Sequence, residues 1–155
     1  MFERLKQKSP AVEVIKSAVA EATRRGDRRV GTEHLFLGLF YDQAADPATV
    51  MGLDVEAARA ALVDLDKEAL GAIGIDVEGL SQPSPPRSSR RPSIGSFTSA
   101  ARSAVDSLIS AKNSRVAPNR LLVTLLELRP PDPAAQLITR LGLDREDVLR
   151  RLPLE

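Results

Sequence analysis

The chain has 155 residues, 43% hydrophobic but only 3% aromatic, so a core must be built from Ala, Leu, Val and Ile, which suits closely packed helices better than a β-sandwich. A formal net charge of +1 argues against a strong global field for nucleic acid, and the absence of cysteine excludes disulfides, thiol catalysis and Cys-based zinc sites. A single histidine, His34, cannot make a His-rich metal site alone. No apolar run reaches membrane-spanning length and the first residues lack a signal peptide's apolar stretch, so the expected setting is soluble and cytoplasmic, with no membrane partner and no cofactor.

In chain order, Ala11, Val14, Ile15, Ala18, Val19 and Ala22 recur on one helical face and predict a first helix. Ser9 is its expected N-cap, Pro10 suits the first helical position, and Gly26 closes it. Thr32 is expected to cap a second helix, with Glu33 in the first turn where the helix dipole favours a carboxylate. Leu35, Phe36, Leu39 and Phe40 continue it. Asp46-Pro47 starts a short third helix, and Asp54 caps a fourth that carries Val55, Ala58, Leu62 and Leu65. Residues 64–80 read as an extra helical segment, because Ile73-Gly74-Ile75-Asp76-Val77-Glu78 echoes Met51-Gly52-Leu53-Asp54-Val55-Glu56. Ser81 to Ser96 holds four prolines, six serines and three arginines, too little apolar surface to fold alone, and is expected to be a linker.

Beyond the linker the chain says the same thing again. Thr98 caps a helix carrying Ala101, Ala104, Val105, Leu108 and Ile109. Pro118 opens another with Leu121, Leu122, Leu125 and Leu126. Asp132-Pro133 leads into Ala135, Leu137, Ile138 and Leu141, and Asp144 caps the last helix with Val148, Leu149 and Leu152. Val30-Gly31-Thr32-Glu33-His34-Leu35 aligns with Val116-Ala117-Pro118-Asn119-Arg120-Leu121, and Met51-Gly52-Leu53-Asp54 with Leu141-Gly142-Leu143-Asp144. The expected fold class is all-α: two pseudo-two-fold-related four-helix repeats, 1–80 and 97–155, joined by the Pro/Ser/Arg-rich linker 81–96. Tandem helical repeats more often build a packed binding surface than an active site.

Four features resemble the N-terminal (Clp repeat) domain of ClpC-type Clp AAA+ unfoldases. They are Met1-Phe2-Glu3-Arg4; Gly31-Thr32-Glu33-His34 followed by Leu37-Gly38-Leu39; Phe97-Thr98 with Ala101; and Ala134-Ala135, Leu137 and Leu141-Gly142-Leu143, slightly altered in spacing. The resemblance covers most of the chain outside 64–96. The phosphate loop Gly-x-x-x-x-Gly-Lys-[Ser/Thr] does not occur, so no ATPase activity is expected by that route, and the chain is read as a non-enzyme, a stand-alone homologue without the motor.

The resemblance implies binding of substrate proteins, adaptors and Clp protease components, and recognition of phosphoarginine. Glu33 would pair with the guanidinium, and Thr32 and Thr98 would receive the phosphate. Phe2, Phe97 and Arg102 match positions that meet cyclic-peptide antibiotics and partner surfaces. In the second repeat Asn119 has lost the charge of Glu33. Each of these residues has a plainer alternative: a first-turn carboxylate for Glu33, helix caps for Thr32 and Thr98, a fraying end for Phe2, core packing for Phe97 and a solvated position for Arg102. The other functional reading is a small regulator binding nucleic acid through linker residues Arg87, Arg90 and Arg91. Asp64, Asp66 and Glu68 do not share one helical face and read as surface charge.

Overall fold

The computed structural model describes residues 9–75 and 96–155, which form eight helices and no strand. In order these are α1 (Pro10–Arg25), α2 (Thr32–Gly38), α3 (Asp46–Met51), α4 (Val55–Ala72), α5 (Ser99–Ile109), α6 (Ala117–Glu127), α7 (Pro133–Arg140) and α8 (Arg145–Arg151). The protein is all-α, with four helices on each side of residues 76–95.

Local chemistry sets most of the boundaries. Ser9 is the N-cap of α1 with Pro10 behind it, and Gly26 ends the helix at φ 78°, a left-handed conformation that suits a residue without Cβ. Asp54 accepts from the Ala57 N–H, Thr98 from Ala101, Asp132 from Ala134 and Ala135, and Asp144 from Glu146 and Asp147. Each satisfies backbone donors that a helix start leaves without a partner.

One expectation is corrected. Thr32 does not cap α2: Gly31 is the N-cap, and Thr32 is the first helical residue with its hydroxyl directed elsewhere. The extra segment after residue 64 is helical as far as Ala72. It prolongs α4 without a break, because Val63 to Leu70 contains neither Gly nor Pro to stop it. The chain leaves through Gly74 at φ 86°. Phe2, Asp76 to Leu80 and linker residues 81–95 lie outside the described residues.

The core is continuous through both halves. Val14, Ala18 and Ala22 of α1 meet α2 closely: a Cβ on Gly38 would stand 2.6 Å from the Val14 carbonyl oxygen, so only glycine lets α2 seat there. Phe36 and Phe40 meet edge to face at 5.8 Å. Leu35, Leu121, Leu122, Leu125, Leu137 and Ile138 are fully buried, and α2 and α4 both pack against α7. Arg59 of α4 reaches the buried Glu21 of α1 through both Nε (3.1 Å) and Nη2 (2.5 Å), so the carboxylate inside α1 is not left without a cation.

Candidate functional site

The turn after α1 builds the site. Asp27 accepts from Arg25 Nε at 2.9 Å and lies 2.8 Å from His34 Nε2. His34 Nδ1 accepts the Gly31 N–H at 2.9 Å, so that nitrogen carries no proton and Nε2–H is the donor to Asp27. The histidine hydrogen bond, followed by that of Arg25, holds the Asp27 carboxyl below its ordinary value against the opposing effect of burial. His34 is 1% exposed with both nitrogens occupied, which makes it an organiser of the turn and leaves it nothing to offer a substrate.

Val30 then forms a parallel bridge with Phe97. The Val30 N–H donates to Ser96 O and the Thr98 N–H to Val30 O, each at 3.0 Å. The start of α5 is thereby fixed beside the start of α2. Thr98 caps α5, its Oγ1 accepting from the Ala101 N–H at 3.2 Å.

Glu33 stands in the first turn of α2. Its carboxylate folds back over Gly31, where a Cβ would stand 2.3 Å from Oε2. Glu33 Oε1 is 3.6 Å from His34 Nδ1, a distance short enough to suggest an ion pair. The hydrogen bond from Gly31 decides otherwise, since a nitrogen accepting an N–H has no proton to give a carboxylate. Glu33 Oε2 is buried and has no hydrogen-bond partner. A carboxylate oxygen removed from water without a donor is costly unless a cation or donor reaches it.

The other sequence-derived positions separate. Thr32 is 1% exposed, and its hydroxyl donates to Asp132 Oδ1 at 2.8 Å while accepting from the Ala134 N–H at 3.3 Å. An anion placed on it would meet the Asp132 carboxylate. Phe97 is in the core, as its packing alternative has it. Arg102 is exposed one turn into α5. Phe2 is outside the described residues. Asn119 is also buried, its Nδ2 donating to Asp46 Oδ2 at 3.1 Å and to Pro153 O at 2.6 Å. Sequence reasoning missed Asp27, Gly31 as a seat for the Glu33 carboxylate, and the partners of Thr32 and Asn119. The only signal in the sequence was the paired Asp-Pro at 46–47 and 132–133.

Among the described residues no cluster of His, Asp and Glu is arranged to hold a metal ion, and no helix is long and apolar enough to cross a membrane. No protein-family model matches the chain, and no curated protein sequence matches it.

Proposed function

We propose that the chain is a non-catalytic peptide- and protein-binding module of the Clp protease system, resembling the ClpC N-terminal domain, which captures substrates or adaptors marked by phosphoarginine. The observation that carries this reading is the buried, partnerless Oε2 of Glu33, folded over Gly31 in the first turn of α2. A guanidinium supplies the missing donors in a charge-assisted pair. In phosphoarginine the phosphate is bonded directly to a guanidinium nitrogen, so its anion seat must adjoin the carboxylate. The Val30–Thr98 bond fixes the capped N-terminus of α5 next to Val30, just before the turn that carries Glu33, and helix N-termini favour phosphate. The phosphate role belongs to Thr98 and the first turn of α5. Thr32 is assigned to structure.

The reading includes an internal duplication into two four-helix repeats. It is supported by a reciprocal pair of links: Thr32 at the start of α2 reaches Asp132 before α7, while Asn119 at the start of α6 reaches Asp46 at the start of α3. Both aspartates precede a proline. The second repeat offers a neutral, buried amide whose Nδ2 is already engaged by Asp46 and Pro153 where the first offers Glu33, so one guanidinium site is expected.

Calorimetry with free phosphoarginine, run beside arginine and phosphoserine, tests the proposal. The expected result is a stoichiometry near one for phosphoarginine. Glu33→Gln, which loses a bidentate charged partner worth about 1.5–3 kcal/mol, weakens binding by roughly ten- to a hundredfold while the fold is retained. Binding that is indifferent to Glu33→Gln, or two equal sites, overturns it.

A further inference from the structure

The end of the second half carries a feature that the Glu33 site does not use. A groove of about 570 Å³ lies between the last turn of α5 and the outer side of α6, and Lys112, Asn113, Arg120, Val123, Leu154 and Glu155 are among its walls. Between Ser107 and Thr124 the sequence holds three cations, Lys112, Arg115 and Arg120, and no carboxylate. Lys112, Arg115 and Arg120 are exposed.

One part of the groove already holds an extended segment, which is the chain itself. After α8 the backbone passes over the start of α6. Asn119 Nδ2 donates to Pro153 O at 2.6 Å and Arg120 Nη2 donates to Leu154 O at 3.1 Å. Side-chain donors on backbone carbonyls hold an extended strand whatever its sequence. The Leu154 side chain packs against the core and Glu155 lines the basic groove. The seated segment is therefore Pro-Leu-Glu: carbonyls to the donors, an apolar side chain packed against the core, and an exposed carboxylate among the residues that line the groove.

We infer that this groove is a docking site for an extended acidic peptide segment of a partner protein, an apolar residue followed by carboxylates, and that residues 153–155 are its internal copy and competitor. Charge complementarity selects the partner's chemistry, because the walls supply positive charge and the only carboxylate lining them is that of Glu155. The site is opposite in polarity to the Glu33 site and stands whether or not that site binds phosphoarginine.

The test is fluorescence anisotropy with a labelled Gly-Leu-Pro-Leu-Glu-Glu peptide, against the same peptide with lysine for both glutamates. The native chain is expected to bind the acidic peptide, more weakly as salt rises, and to leave the lysine peptide free. Lys112→Glu and Arg115→Glu, both at exposed positions, should each weaken binding, the former at least tenfold. Leu154→Ser, which loosens the seated segment, should tighten it at least threefold, with its fold checked by circular dichroism. Should that variant melt, the two charge reversals decide alone. Lys112→Glu should leave the phosphoarginine titration unchanged, so failure of one site is not failure of the other. Equal binding of both peptides, no binding by any variant, or Lys112→Glu without effect overturns the inference. Self-association of Leu154→Ser in sedimentation overturns it too, because it makes a second copy of the chain the occupant.

Discussion

Thr32→Val is the substitution that best tests how the two halves are held together. Valine matches threonine in shape, so no cavity opens at this fully buried position and only the hydroxyl is lost. That hydroxyl donates to Asp132 Oδ1 at 2.8 Å. Its second bond, from the Ala134 N–H at 3.3 Å, is duplicated by Asp132 Oδ1 at 2.9 Å from the same N–H, so Ala134 keeps a partner. The net loss is one hydrogen bond to a charged acceptor, about 1.5–3 kcal/mol, and the half-buried setting of Asp132 places it near the lower end. For a chain of this size each kcal/mol moves Tm by about 2–4 °C, so a fall of roughly 3–8 °C is expected in a calorimetric scan. A double-mutant cycle isolates the contact. Asp132→Ala costs about 1 kcal/mol for the lost α7 cap in addition to the Thr32 bond, and in that background Thr32→Val should cost less than in the native chain, about 0.5–1.5 kcal/mol, for the Ala134 N–H that Thr32 would still accept. A Tm within about 1 °C of the native value, or the same cost for Thr32→Val in both backgrounds, would refute the reasoning.

Two further outcomes follow from the turn at residues 26–34. Gly31→Ala keeps an allowed backbone, since Gly31 sits at φ −101°, but its methyl displaces the Glu33 carboxylate; phosphoarginine affinity in calorimetry should fall by roughly tenfold with Tm little changed, a loss on the scale of one weakened charged pair. The Asp27 carboxyl is held below its ordinary value in the folded state, so it adds stability that is complete above the unfolded value near 3.8 and is lost as pH falls through the lowered folded value. Asp27→Asn, whose carbonyl still accepts from His34, should flatten the fall of Tm with pH below about 4. An acid limb as steep as the native one in a pH series of melts would refute that assignment.

The helix limits could be read from the sequence because they are decided by atoms a few residues apart. Pro10, Gly26, Asp54, Thr98, Asp132 and Asp144 each terminate or start a helix through their own φ or through a side-chain oxygen within three positions of its donor. The apolar period of α1, α5 and α6 likewise named the buried faces, including Val14, Ala104 and Leu122. The site was legible only in its outline. Glu33 stands in the first turn of α2 as expected, yet its seat over Gly31 depends on His34 taking the Gly31 N–H, a choice of tautomer that Asp27 fixes. Thr32 looks like a cap by residue type, but a hydroxyl bonds whichever acceptor the fold brings nearest, and Asp132 lies 100 positions away along the chain. Asn119 similarly finds Asp46 and Pro153 across the interior. Tertiary packing alone decided these partners, because hydrogen-bonding groups buried together must satisfy one another whatever their separation in sequence.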